Sequence, residues 1–183
     1  MNALQEKIFD VVVAILSTKS LDEQLTGEFA GKQALQHNAI RYGLLNYVAK
    51  YSLAREEYLI TDKCYDHLES KDLLEDNTLL RGSKGKKNQF TFEHPVPSNV
   101  ISDLLIAKRD NPEEMRQILR VTDKVTVLTY EENKLFTGHL IKYMPNQEDW
   151  QCKNSKNSIF ARYIEAGVQI PEKLIKVKGA LAR

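Results

Sequence analysis

Two prolines, Pro95 and Pro97, set the strictest limit on how this chain folds. A proline has no backbone N–H to donate to a β-ladder, and it restricts the residue before it to extended conformations. Residues 89–93, directly before this pair, alternate polar and apolar side chains, which is typical of a half-buried strand. The sequence therefore predicts a strand over residues 89–93 that must stop at His94.

Helical spacing governs residues 1–75. Apolar side chains recur on one helical face over residues 2–17 and again over residues 32–54. Thr61 and Asp62 are typical of the start of a helix, and this third helix is expected to reach about Glu69. We therefore expect the N-terminal part of the chain to form a helical layer.

The region after the prolines alternates between helix and strand signals. Residues 125–129 are β-branched and apolar and carry the densest strand signal in the chain. Glu132 follows Thr129 by three residues, so the two predict a capping box that opens a helix directly after this strand. The other predicted elements are a helix over 98–108 capped by Ser98, a helix from Pro112 to about Leu119, a loop over 146–158, and a short helix over 159–166 that ends at Gly167.

The composition is that of one soluble globular domain. The chain has 183 residues, of which 42% are hydrophobic and 28% charged. We predict an α+β fold: a helical region over residues 1–80, and a small ββα element with a mixed C-terminal extension over residues 81–183, in one compact body. No apolar run approaches the length of a membrane span, and Cys64 and Cys152 are most simply reduced thiols. A cytoplasmic protein that does not enter a membrane is therefore expected.

Net charge limits how the chain can bind a polyanion. The 26 Lys and Arg residues nearly balance the 25 Asp and Glu residues, so the formal net charge is +1 and nucleic acid must be bound by a local patch. Residues 81–87 are the candidate, because glycines there let backbone amides approach a phosphate closely. A solvated hairpin loop would have the same composition. The cations of this basic segment are Arg81, Lys84, Lys86 and Lys87.

A second candidate contact with nucleic acid lies near the C-terminus. Arg162 could bind a phosphate, and Tyr163 beside it could stack on a base. In the alternative, Tyr163 packs its own helix while Arg162 pairs with a nearby acid. The sequence leaves both interpretations open.

Three polar residues follow the two strong strand signals. Glu93 and His94 end the first strand, and Asn133 lies on the helix after the second. Carboxylate and amide oxygens suit a hard divalent ion such as magnesium or manganese, which can polarise a phosphate. Histidine can accept a proton from water near neutral pH. Together they predict a hydrolytic site, although a strand end whose glutamate pairs with a lysine would show the same residues.

This pattern resembles the HNH, or His-Me finger, endonucleases. The resemblance is carried by Phe92 to Pro97, for the acidic-His-x-x-Pro signature, and by Val127 to Lys134, for the second strand and the metal-binding helix. It implies that His94 is the general base and that Glu93 and Asn133 hold one magnesium or manganese ion against the scissile phosphate. Glu93 stands where aspartate is commoner in that family.

The resemblance implies a metal-dependent endonuclease that hydrolyses phosphodiesters. DNA is the expected substrate, and RNA is the alternative substrate. A restriction enzyme or a phage or mobile-element enzyme would fit this size, and a ribonuclease toxin is an alternative. Cutting both strands would need a second copy, which favours a homodimer. The alternative from a different class is a non-enzymatic binding module, a small helical adaptor or inhibitor that contacts protein or nucleic acid.

Overall fold

The computed structural model describes residues 1–18, 35–80, 90–145 and 156–177. The α-helices in these ranges are α1 (Ala3–Leu16), α2 (Leu35–Leu53), α3 (Asp62–Glu69), α4 (Ser98–Ala107), α5 (Pro112–Thr122), α6 (Tyr130–Asn133), α7 (Lys156–Ile159) and α8 (Ala161–Ala166). A 3-10 helix covers Gly138–Ile141. The strands are β1 (Glu57–Ile60), β2 (Leu74–Glu75), β3 (Thr78–Leu79), β4 (Phe90–Glu93), β5 (Thr126–Thr129) and β6 (Lys173–Val177).

The six strands form one mixed sheet in the order β2-β3-β6-β1-β5-β4. Strands β1 and β5 lie parallel and adjacent in its centre, and β4 pairs with β5 in the antiparallel sense. The predicted α+β class is confirmed. The two strongest strand predictions are also confirmed as neighbours, because Phe92 pairs with Val127.

The predicted helical region over residues 1–80 needs a correction. Strands β1, β2 and β3 all lie before residue 81, and they share the sheet with strands from the second half of the chain. The turn between β2 and β3 consists of Asp76 and Asn77, with φ of 47° and 57°. Aspartate and asparagine adopt this left-handed conformation more readily than most residues, and two in succession are typical of a tight hairpin. These three strands have only two to four residues each, which is too short to give a periodic signal.

Three groups of buried apolar side chains hold the fold together. The largest lies among helices α1, α2, α4 and α5. A second covers one face of the sheet with α3, and a third covers the other face with Phe136, Leu140 and side chains of residues 160–168. Val127 and Leu128, which are adjacent on β5, belong to the second and third groups, as expected for side chains that alternate between the faces of a sheet.

Local capping explains several helix ends in the described residues. The predicted capping box of Thr129 and Glu132 is confirmed, and Gly167 ends α8 in the left-handed conformation with a φ of 72°. The predicted cap at Ser98 is wrong. Pro97 holds the extended N-cap position, so Ser98 is already the first helical residue.

Part of the predicted loop over 146–158 lies outside the described residues, and its last three residues belong to α7. Among the helices of the described ranges, none is both long and apolar enough to cross a membrane.

Candidate functional site

The candidate site lies where β4 ends, at the edge of the described sheet. Glu93, the last residue of β4, pairs with Thr126, the first residue of β5. The chain then leaves the sheet through His94 and the two prolines, as the sequence predicts. The C-terminal helix α8 packs against this end and brings Arg162 and Tyr163 to it.

The Glu93 carboxylate is held by two side chains of α8. A terminal nitrogen of the Arg162 guanidinium donates to Oε1 and forms an ion pair, and the Tyr163 hydroxyl donates to Oε2 at 2.9 Å. Burial raises the pKa of Glu93, and the positive charge of Arg162 together with these two hydrogen bonds opposes that effect. Both carboxylate oxygens are therefore engaged inside the protein.

Arg162 is one of the most deeply buried residues of the molecule, with only 2% of its surface exposed. Besides Glu93, its guanidinium donates to three main-chain carbonyls and lies over an aromatic ring. The three acceptors are the carbonyls of His94 at 2.5 Å, Leu140 at 2.8 Å and Pro95 at 3.3 Å, and the ring is that of Phe136, whose centroid is 4.4 Å from Arg162 Cζ.

These contacts correct the predicted nucleic-acid contacts of the C-terminal helix. Arg162 and Tyr163 are buried, so neither side chain can reach a phosphate or a base. The alternative left open by the sequence, in which Arg162 pairs with an acid and Tyr163 packs its helix, is what the structure shows. The physical reason is that the side chain of the acid, Glu93, is only 16% exposed, and a carboxylate so far removed from water needs a counter-ion.

His94 has one ring nitrogen hydrogen-bonded to the main chain and the other without a hydrogen-bond partner among the described residues. The main chain of Ala49 in α2 hydrogen-bonds the imidazole and favours its charged form, as a carbonyl acceptor does. Nε2 is buried and has no hydrogen-bond partner among the described residues, so the contact with Ala49 is made by Nδ1. Burial, and after it the charge of Arg162, lowers the pKa of His94 to about 4. The imidazole is therefore neutral at physiological pH.

Asn133 is the last residue of α6 and is half-exposed. The strand that leads to α6 ends at Thr129, which pairs with Phe90 at the far end of β4 from Glu93. In the described part of the chain, no hydrogen bond or ion pair joins Asn133 to Glu93 or His94. The structure therefore does not bring the predicted ligands together in one contact network.

The residues do not fit the magnesium or manganese ion that the resemblance implies. A guanidinium already neutralises Glu93, and its positive charge would repel a divalent cation at the same oxygen. The described ranges also contain no group of three or more His, Cys, Asp and Glu side chains that could hold a metal. The predicted role of Glu93 as a metal ligand is corrected to that of an internal ion-pair partner.

The four cations of the basic segment lie outside the described residues; they are Arg81, Lys84, Lys86 and Lys87. The described residues on either side are Leu80, directly after β3, and Phe90, the first residue of β4. The segment thus connects the second and sixth strands in the order of the sheet.

Sequence reasoning did not find the main-chain partners of this site. The carbonyls of Ala49 and Leu140 contact His94 and Arg162, but a backbone carbonyl has no residue type that could mark it. Comparison with known proteins adds no partner either, because no protein-family model, no curated protein and no solved structure matches this chain.

Proposed function

We propose that the protein hydrolyses phosphodiester bonds in nucleic acid, DNA in the first place, with His94 as the general base. The observation that supports this proposal is the state of the imidazole. Its Nδ1 is anchored to the main chain of α2, while Nε2 has no partner within the described ranges. A neutral histidine held in one tautomer by a carbonyl is the arrangement that a general base needs.

In the proposed reaction, Nε2 of His94 removes a proton from a water molecule as the water oxygen attacks phosphorus. The P–O bond to the leaving oxygen of the nucleic acid then breaks, and that oxygen keeps the bonding electron pair and takes up a proton from solvent. A pKa of about 4 keeps the base unprotonated over the physiological range, but it also makes His94 a weaker base than an ordinary histidine. The expected enzyme is therefore slow and keeps its activity at mildly acidic pH.

Positive charge for the phosphate would come from the basic segment before β4. Arg162 cannot supply it, because its donors are used inside the protein. Cations near a scissile phosphate hold the polyanion and make binding strongly dependent on salt.

The test is cleavage of plasmid DNA, single-stranded DNA and RNA, each with magnesium, with manganese and with a chelator. The variants are His94→Ala and His67→Ala. His67 is the matched control, because its Nε2 is also buried and unpartnered among the described residues, but it lies on α3. We expect His94→Ala to lose about 100-fold or more in rate while His67→Ala keeps the wild-type rate. Undiminished cleavage by His94→Ala would remove His94 from the mechanism.

The RNA arm separates a ribonuclease from a deoxyribonuclease, and the chelator arm tests the predicted need for magnesium or manganese. Sedimentation of the wild type tests the predicted homodimer. The outcomes of these three measurements do not depend on whether Glu93 is a metal ligand.

A second candidate function, a non-enzymatic binding module, is favoured by one specific observation. Nε2 of His94 is buried, so water must gain access to it before it can act as a base. A binding module needs no such access. It predicts that DNA or RNA is bound without cleavage, and that neutral replacements of Lys84, Lys86 and Lys87 weaken this binding and reduce its dependence on salt.

A further inference from the structure

The main chain around His94 is held by a single side chain, that of Arg162, which lies 68 residues later in the sequence. The three nitrogens of the Arg162 guanidinium donate to four acceptors, and three of these belong to the consecutive residues Glu93, His94 and Pro95. A planar guanidinium directs its N–H groups in a fixed fork, so it holds its acceptors in one geometry. His94 cannot shift along the chain without breaking several of these bonds.

Arg162 is itself held on its remaining sides. The ring of Phe136 lies under the guanidinium, and the Tyr163 hydroxyl holds the second oxygen of Glu93. The carbonyl of Leu140 occupies a third direction. The guanidinium therefore has a defined position relative to the end of β4.

The charged and polar groups at this strand end come from three elements. Strand β4 contributes Glu93, which is paired with Arg162, and α8 contributes Arg162 and the uncharged Tyr163. Helix α2 contributes the neutral main chain of Ala49. Burial is the main cause of the lowered pKa of His94, and the positive charge of the guanidinium adds to it.

We propose that Arg162 is the positioning residue for His94: its hydrogen bonds to three consecutive residues fix the main chain that carries the imidazole, and thereby the direction of the Nε2 lone pair. This inference rests on the proposed function, in which that lone pair accepts the proton of water. Arg162 touches no reacting atom in this scheme and acts only through His94.

The test follows His94 itself rather than catalysis. Correlation spectra of ¹⁵N-labelled histidine in the full chain report the tautomer and the pKa of each ring, and His94→Gln assigns the signal. We expect His94 in the wild type to carry its proton on Nδ1 and to have a pKa of about 4. In Arg162→Met, the pKa of His94 should rise above its wild-type value but stay below 6.5, because the charge is removed while burial, the larger cause, remains. In the matched control Arg120→Met, which removes an exposed guanidinium from α5, the His94 signal should not move.

Arg162→Lys separates charge from geometry and serves if Arg162→Met does not fold. An ammonium keeps the positive charge but cannot hold the carbonyls of Pro95 and Leu140 in the same fork. We expect a mixture of His94 tautomers in this variant, with a pKa that stays low. A His94 spectrum unchanged in tautomer and pKa in either Arg162 variant would overturn the inference.

The spectra of the Arg162 variants and the cleavage by His94→Ala can fail independently of each other. If His94→Ala retains cleavage, the hydrolytic role fails while the effect of Arg162 on the His94 spectrum can still be measured. If cleavage depends on His94 but the Arg162 variants leave the spectrum unchanged, the hydrolytic role stands and the positioning role fails.

Discussion

Two carboxylates lie near the opposite ends of β5, and the protein satisfies them in different ways. Glu93 faces the first residue of β5 across the ladder and is paired with a guanidinium and a phenol. Glu132 lies three residues after Thr129, the last residue of β5, and is 5% exposed. Its Oε2 accepts three hydrogen bonds from neutral donors. These donors are the Thr61 hydroxyl at 3.0 Å and the main-chain N–H and hydroxyl of Thr129, each at 2.9 Å.

The difference lies in how much each carboxylate depends on one partner. The Glu132 donors come from two helix N-caps, so removing one of them leaves the others in place. The charge of Glu93 is balanced by Arg162 alone among the contacts of the described residues, and Arg162 also serves three carbonyls. Removing one partner of a buried ion pair costs far more than removing one neutral hydrogen bond. The end of β4 should therefore be the more sensitive region.

The largest expected effect is that of Arg162→Met. It leaves Glu93 without a counter-ion and removes the donor to three carbonyls, so the free energy of unfolding should fall by about 3–5 kcal/mol. Urea unfolding measures this change. The control is Arg116→Met, because Arg116 is 22% exposed and pairs with a more exposed Glu6, and such a pair contributes at most about 1 kcal/mol.

Glu93→Met combined with Arg162→Met tests whether the loss comes from an unpaired charge. The double variant buries no charge at this position, so it should be more stable than Arg162→Met alone. If Arg162→Met costs no more than the Arg116 control, the two ends of β5 do not differ as argued.

The next largest effect is a pH dependence carried by His94. Its pKa is about 4 in the folded protein and 6.5 when unperturbed, so the unfolded chain binds a proton first as the pH falls. The stabilisation is present above pH 6.5 and is lost as the pH falls toward 4, by about 3 kcal/mol in total. Unfolding curves at several pH values measure it.

His94→Phe should remove this component, so the difference in stability between wild type and variant should change with pH over that interval. His139→Ala is the control. Its imidazole is 61% exposed and pairs with Glu165 on the surface. Parallel pH curves for wild type and His94→Phe would contradict the prediction.

The same comparison explains what the sequence could predict. The capping box of Thr129 and Glu132 spans three residues, and this spacing fixes its geometry within one helical turn. Arg162 and Glu93 are 69 residues apart, and no local pattern joins them. The sequence could therefore name an acid partner for Arg162 only as an alternative, and it could not identify that partner.

Strand β6 shows the same limit on the fold. Its five residues include two lysines and alternate only weakly between polar and apolar side chains. Its place between β3 and β1 depends on pairing with strands that lie about 100 residues earlier in the sequence. By contrast, the end of the strand over residues 90–93 could be predicted from Pro95, because a proline has no backbone N–H to donate to a β-ladder. Features fixed by the chain itself could be predicted, whereas those fixed by a distant partner could not.

A smaller effect is expected at the other end of β5. Glu132→Gln keeps one acceptor oxygen for the two threonines but loses the charge, so the free energy of unfolding should fall by about 1 kcal/mol. Glu131→Gln is a matched control, because Glu131 is the neighbouring glutamate in α6 and is exposed. Thermal unfolding of the two variants gives the difference. A loss for Glu132→Gln as large as that for Arg162→Met would erase the distinction between the two carboxylates.

The smallest effect is expected for Asn133→Ala. Asn133 is half-exposed and has no described contact with Glu93 or His94, so its replacement should change the free energy of unfolding by less than about 0.5 kcal/mol. Magnesium or manganese should then shift the stability of wild type and variant equally. If Asn133 did hold such an ion, a concentration 100-fold above Kd would stabilise the wild type by about 2.7 kcal/mol and the variant by much less.

Asn111→Ala is the control that shows whether the unfolding measurement can resolve a change of about 1 kcal/mol. Asn111 caps α5 through its side chain, so this variant should lose about 1 kcal/mol whether or not a divalent ion is present. A metal-dependent gap between wild type and Asn133→Ala, with no such gap for Asn111→Ala, would mean that Asn133 binds an ion with ligands other than the Arg162-paired oxygens of Glu93. One end of β5 would then hold the guanidinium of Arg162 and the other a metal ion from solution, so the two ends would differ in function as well as in stability.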